Sequence, residues 1–240
     1  EFGLKIQSFT STYTSIIEYK NINFDALSVH IGSQILSDVP YKKMLNVMFN
    51  LIKELKLDLK ILDLGGGFGI QYDEKDKPIN LKKYSDSVNK LAKKLKCKII
   101  FEPGRSIIGD TGILLSKIQY IKKGAKKDFI IIDAGMNDFM RPALYDAVHK
   151  IIPIRKSKSK LKGTIEFVGP ICESTCKFGS YKNYQKMSEN DFVAITNVGA
   201  YGSSLSSNYN SRPLIAELLV NKNKIKYIRK KQDLLKLINS

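Results

Sequence analysis

Cys97-Lys98-Ile99-Ile100-Phe101-Glu102-Pro103-Gly104-Arg105 is the stretch around which the rest of the chain is most readily organised. Its first five residues read as a short buried strand. The last four set a carboxylate, a rigid proline, a glycine and an arginine where that strand ends. Glycine lets backbone N–H groups come close to an anion, and arginine offers a planar fork for a carboxylate or phosphate. Glu102 adds an acceptor for a cation or a protonated ring nitrogen. A helix start with a surface ion pair accounts for the same four residues, so the neighbouring stretches must decide.

Upstream, Ala26 to Ile31 reads as a strand running through His30 into Gly32-Ser33-Gln34, and Leu59 to Leu64 as a second, ending in Gly65-Gly66-Gly67-Phe68-Gly69. Between and after them lie helical patterns from Tyr41 to Leu55 and from Leu81 to Leu95. An earlier helix is expected from Ser8 to Tyr19. Strands alternating with helices imply parallel βαβ units. With a first strand around Phe2-Gly3-Leu4, four such units fill residues 1–110, about half of a (β/α)8 barrel. Three successive strands ending in glycine or hydroxyl clusters then share one face, an anion cradle suited to phosphate. Each glycine alone is also explained by a tight turn.

Past about residue 110 the pattern changes. Ile113 to Ile121, Phe129 to Asp133, Gly163 to Val168 and Asp191 to Thr196 read as strands, with a helix only from Gln232 to Asn239. Residues 111–240 are therefore expected to form a second, β-rich, barrel-like domain, giving an α/β plus β architecture. The lysine-rich run from Ile154 to Lys162 reads as a solvated loop and the best candidate for disorder.

Composition narrows the function classes. The 240 residues are 43% hydrophobic and 10% aromatic, ordinary for a globular chain. No apolar run nears the roughly 20 residues that span a bilayer. The chain opens Glu1-Phe2-Gly3-Leu4, with neither initiator methionine nor signal peptide, which reads as a fragment of a longer protein. Three cysteines, Cys97, Cys172 and Cys176, argue for a reducing compartment and against a disulfide framework. With only His30 and His149 besides, no metal site is expected. The net charge of +17 invites a nucleic-acid partner, but lysine is spread along the whole chain and only five arginines occur. Neither nucleic acid nor membrane is expected as a partner.

The β-rich part carries further dense polar clusters: Asp133-Ala134-Gly135-Met136-Asn137, Arg141-Pro142-Ala143-Leu144-Tyr145, Cys172-Glu173-Ser174, Gly199-Ala200-Tyr201-Gly202 and Asn208-Tyr209-Asn210-Ser211-Arg212-Pro213. Each alone reads as an ordinary turn, ion pair or packed ring. Together, and in this order with the three clusters of the first half, they resemble the alanine-racemase-like, fold-type III enzymes that use pyridoxal 5'-phosphate. Within that family the motif set is most similar to the diaminopimelate decarboxylases, across essentially all 240 residues.

The resemblance implies decarboxylation of meso-2,6-diaminopimelate to L-lysine and CO2, the last step of lysine biosynthesis, by a cytoplasmic homodimer with shared active sites. It implies that His30 stacks on the pyridine ring and that Glu102 bonds the ring nitrogen. Ser33, Gly67, Gly104 and Arg105 hold the phosphate, with Tyr201 closing over it. Arg105, Arg141, Tyr145, Glu173 and Tyr201 grip the substrate, and Cys172 returns a proton to the α-carbon. Cys172 and Glu173 serve the partner's site. Two departures stand out. The family's cofactor-anchoring lysine belongs to the first barrel strand, upstream of every motif here, so the covalent anchor is expected to be absent. The chain alone, given cofactor and meso-diaminopimelate, is then expected to make no lysine. Cys176 stands where many members carry an aspartate. A decarboxylase of ornithine, arginine or carboxynorspermidine, a catalytically dead binding homologue and a basic RNA-binding protein remain as alternatives.

Overall fold

The computed structural model describes residues 4–239. They form two compact units, one comprising residues up to 71 with 76–106, the other 72–75 with 107 onward. The sequence-based boundary at 110 falls a few residues later. Nothing in the sequence marks the brief excursion at 72–75, because it is decided by a long-range partner, Arg141, 69 positions from Tyr72.

The first unit runs α1 (Ile6–Ile16), β1 (Ala26–Ser28), α2 (Asp38–Glu54), β2 (Ile61–Asp63), α3 (Leu81–Leu95) and β3 (Lys98–Ile100), and leads into the single turn α4 (Arg105–Ile108). The three strands form one parallel sheet in the order β1-β2-β3, with Leu27 beside Leu62 and Leu62 beside Ile99. Both long helices start where side chains cap them. Ser37 accepts from Val39 N ahead of α2, and Asn80 accepts from Lys83 N ahead of α3. α3 stops at Lys96, whose φ of 54° is left-handed. Tyr41, Met44, Leu45, Met48 and Ile52 of α2 meet Leu62, Leu64 and the Tyr84, Val88 and Leu91 face of α3 in a common core. Each such large side chain contributes about 1.5–3 kcal/mol on burial. The strands are only three residues long, so the ladder stops early and residues 30–34, 64–69 and 101–104 are free to form loops at their carboxyl ends. Of the strand expected at Phe2-Gly3-Leu4, the first two residues lie outside the described residues, and Leu4 is in no strand.

The second unit contains β4 (Ile113–Lys122), β5 (Asp128–Ile132), α5 (Arg141–Tyr145), β6 (Ile151–Pro153), β7 (Thr164–Val168), β8 (Lys177–Lys182), β9 (Phe192–Thr196), β10 (Glu217–Asn221), β11 (Lys224–Arg229) and α6 (Leu234–Ile238). Six strands form one mixed sheet in the order β6-β9-β4-β5-β7-β8, and β10 and β11 pair separately. β4 serves both halves of the sheet. Ile113–Lys117 pair with β9, and Ile118–Lys122 pair with β5 across a register shift between Ile118 and Tyr120. Such a shift bends a strand and curls the sheet. Leu114, Ile118, Ile130, Ile132, Phe139, Ile151, Phe167, Val193 and Ile195 fill its core. β6 is cut short by Pro153, β8 carries Gly179 at its middle, and β10 and β11 are exposed along most of their length. β6 and β8 lack the alternation or uninterrupted apolar run by which the other strands were legible, and the apolar residues of β10 and β11 lie on no buried face. From Ile154 to Lys162 there is no helix or strand, only a bridge from Lys160 to Gln185.

Candidate active site

In the first unit the ends of the three parallel strands build a surface largely from backbone. Gly65 and Gly67 have φ of 63° and 87°, left-handed values that glycine adopts without strain. A Cβ on Gly66 would stand 2.1 Å from the Glu102 carbonyl oxygen, and one on Gly67 2.2 Å from that of Gly32. Only glycine fits at either place. Three side chains hold the loop. Asp63 at the end of β2 accepts from Gly65 N at 2.8 Å, the buried Tyr41 hydroxyl donates to Gly66 O at 2.9 Å, and Gly66 N donates to His30 Nδ1 at 3.3 Å. Burial pushes the Tyr41 phenol up to about 12, so it stays a neutral donor. Sequence reasoning missed Tyr41 and Asp63, because neither sits in a glycine motif.

Two of the expected anion ligands meet directly, Arg105 Nη2 donating to Ser33 Oγ at 3.1 Å. Glu102, immediately before, is tied by its backbone N–H to Gly65 O at 2.8 Å, while its carboxylate is exposed. An ideal Cβ on Gly104 would meet nothing within 4 Å. A guanidinium and hydroxyl in contact, open space over Gly104, an exposed carboxylate and an imidazole suit a phosphorylated aromatic ring with a protonated nitrogen. Pyridoxal phosphate is such a group, and these residues fit it.

The second unit arranges its expected residues differently. Arg141, at the start of α5, is only 7% exposed. Its Nη1 donates to the Tyr72 hydroxyl at 2.9 Å and to His149 Nε2 at 2.8 Å, and its guanidinium carbon lies 4.9 Å from the Tyr72 ring centroid. Tyr72 comes from the 72–75 segment, which explains why that segment groups with this unit. No ion pair among the described residues includes Arg141. Glu173 accepts from the Tyr209 hydroxyl at 2.5 Å, and that bond pushes the phenol's pKa up. Cys172 and Tyr145 are exposed. Tyr201 is exposed too, and its φ of 62° is left-handed, which is uncommon for an aromatic residue and typical of strained functional loops.

Behind these groups a polar network joins two loops. Arg212 donates to Asn137 Oδ1 at 2.9 Å and to Asp133 O at 2.8 Å, and lies 3.4 Å from the buried Asp138 carboxylate. Asp138 in turn accepts from Gly135 N at 2.8 Å. Cys176 is buried beside them and accepts from Met136 N at 3.4 Å. The sequence reading marked these stretches as motifs without assigning Arg212 or Asp138 a role. Among the described residues no cluster of three metal-binding side chains occurs, and no helix is long and apolar enough to cross a membrane.

The family model described as "Pyridoxal-dependent decarboxylase, C-terminal sheet domain" matches residues 16–199. The chain belongs to the pyridoxal-dependent decarboxylases. Its fold is the second half of a (β/α)8 barrel followed by the β-rich domain of these decarboxylases. It is 39% identical over 236 residues to the diaminopimelate decarboxylase of Aquifex aeolicus, covering 97% of this chain and 56% of that protein. It is 42% identical over 209 residues to the diaminopimelate decarboxylase of Helicobacter pylori, covering 85% of this chain and 51% of that protein. The solved diaminopimelate decarboxylase from H. pylori, complexed with L-lysine, matches 99% of this chain and 59% of its own, with a TM-score of 0.87 and 36% identity. A crystal structure from A. aeolicus gives a TM-score of 0.91 at 37% identity, over 99% of this chain and 60% of that one. The chain thus spans little more than half the length of the decarboxylases it matches.

Proposed function

We propose that this chain is the part of a cytoplasmic, homodimeric diaminopimelate decarboxylase that carries the phosphate cradle and the carboxylate-binding arginine, in an enzyme that converts meso-2,6-diaminopimelate to L-lysine and CO2. One observation carries the reading. Arg141 is buried, lies within hydrogen-bond distance of the Tyr72 hydroxyl and the His149 ring, and has no carboxylate partner among the described residues. A buried cation left uncompensated is costly unless an anion completes it. A substrate bearing a second carboxylate, as meso-diaminopimelate does, supplies that anion. Ornithine and carboxynorspermidine offer less, since neither has two carboxylates flanked by two amines.

Within this reading Ser33, Gly67, Gly104 and Arg105 bind the cofactor phosphate, with Tyr201 over it. His30 lies against the ring, and Glu102 holds the proton on the ring nitrogen. Pyridoxal phosphate bound there supplies an electron sink for the pair left when CO2 departs. Arg141 binds the distal carboxylate, with Arg105, Tyr145 and Tyr201 orienting the remainder. Glu173, held by Tyr209, accepts the distal ammonium, and Cys172 delivers a proton to the α-carbon, both from the partner subunit. Calorimetric titration of the cofactor-treated chain tests the reading. Meso-diaminopimelate is expected to bind more tightly than ornithine or L-lysine, and Arg141→Ala is expected to erase a difference on the order of tenfold to a hundredfold. Equal affinities, or an Arg141→Ala variant that keeps the difference, exclude this substrate.

A further inference from the structure

His149 is the least exposed titratable side chain near Arg141, at 1%. Its imidazole is constrained on every side. Nδ1 lies 2.9 Å from Thr196 O at the end of β9, an oxygen that can only accept, so Nδ1 carries the proton. Nε2 lies 2.8 Å from Arg141 Nη1, a group that can only donate, so Nε2 must be the unprotonated acceptor. Edge-to-face contacts with Phe139 at 4.6 Å and Tyr72 at 4.9 Å hold the ring plane. Its backbone is pinned as well: the Tyr181 hydroxyl donates to His149 O at 3.2 Å and accepts from Ile151 N at 2.8 Å.

The consequence falls on the arginine. Nη1 has two N–H bonds, and His149 and the Tyr72 hydroxyl take both. Nε and Nη2, the side edge that pairs with a carboxylate through two parallel hydrogen bonds, keep no protein partner among the described residues. A carboxylate at position 149 would neutralise the cation, and an imidazolium would point an N–H at it. A neutral imidazole does neither. We propose that His149 is the positioning residue that grips Arg141 from behind as a neutral, Nδ1-protonated acceptor, so that the guanidinium keeps its charge and aims its Nε–Nη2 edge at the substrate's distal carboxylate. The proposal rests on Arg141 binding that carboxylate, and it makes the choice of a dicarboxylic substrate depend on a residue that does not touch it.

The test compares binding of meso-diaminopimelate and L-lysine, which differ by one carboxylate, to the cofactor-treated chain and its variants. His149→Phe keeps a ring and most of the volume but removes the acceptor, and is expected to cut the preference for meso-diaminopimelate about tenfold. His149→Gln can return an acceptor near the Nε2 position and is expected to keep the preference within a few-fold. A merely structural role would lower both affinities together and leave the ratio unchanged. If the parent chain shows no preference, or Arg141→Ala keeps it, the reading of Arg141 fails. If the parent and Arg141→Ala behave as expected while His149→Phe keeps the preference, the His149 proposal alone fails. Should His149→Phe not fold, nitrogen-15 NMR of the parent chain decides, because only two histidines occur and the His149→Gln spectrum identifies the second. A neutral Nδ1–H form at pH 7 supports the proposal, whereas an Nε2–H form or an imidazolium overturns it.

Discussion

At Gly66 and Gly67 the first unit packs backbone against backbone, in places where one added carbon would collide with a carbonyl oxygen. Around Arg141 the second unit does the opposite. There a long charged side chain is buried, and its direction is set by Tyr72, His149 and, behind His149, Thr196 and Tyr181. The first arrangement is local and rigid, because each glycine excludes alternatives by its own φ or by a single close approach. The second is distributed, and every member depends on another for its orientation. A backbone cradle suits a group that is always present and always the same, such as a phosphate. A propped arginine suits selection, since a guanidinium edge left open can tell a ligand with a carboxylate from one without.

The sharpest way to break this contrast is Gly66→Ala. The new Cβ meets the Glu102 carbonyl at 2.1 Å, so the β2 and β3 loops must separate. A loss of about 3 kcal/mol or more is expected in denaturant unfolding of the first unit, together with loss of cofactor binding followed by fluorescence. An unchanged melt would mean that the cradle is soft. Next in size is Arg212→Ala, which leaves the buried Asp138 carboxylate and Asn137 Oδ1 short of a donor. A cost of about 2–3 kcal/mol is expected in the second unit, with the first unit's cofactor binding unchanged. If cofactor binding falls too, the two sites are not independent.

The smallest effect is expected for Tyr41→Phe, which removes one hydrogen bond to Gly66 O for about 1 kcal/mol. It also carries a pH signature. Burial raises the Tyr41 phenol from 10 to about 12, so above pH 10 the unfolded chain gives up a proton that the folded chain keeps. Tyr41's contribution is therefore complete below pH 10 and declines as pH rises toward about 12, by at most about 1.4 kcal/mol per unit. Alkaline unfolding of the parent should be steeper than that of Tyr41→Phe. Parallel curves would show that the phenol is not held where its bond to the glycine loop requires.

Much of the first unit was legible because its signals are periodic and local. Leu81 to Leu95 is a helix with the bounds its apolar face implied, and the strands that lead toward Ser33, Gly65 and Glu102 lie side by side in chain order, though the first stops at Ser28. The β-rich unit was legible where alternation was clean, as in β4, and illegible in short or exposed strands such as β6 and β10. There, pairing with neighbours supplies what the sequence pattern does not. Arg141 and Glu173 stood out as residue types in motifs, yet their surroundings did not.

The amino-acid sequence by itself determined the order of the glycine, acid and arginine clusters, and through it the family and the glycine-rich loops at the strand ends, because a glycine's latitude and a strand's period are properties of a few adjacent residues. Only the tertiary structure decided that Arg141 is buried with no carboxylate partner among the described residues and held through one nitrogen. Its partners Tyr72 and His149 stand 69 and 8 positions away, and the Thr196 carbonyl that sets the His149 proton is 47 positions further on. The protonation of one ring and the free edge of one guanidinium follow from which groups folding brings within 3 Å of each other, and no local pattern encodes that.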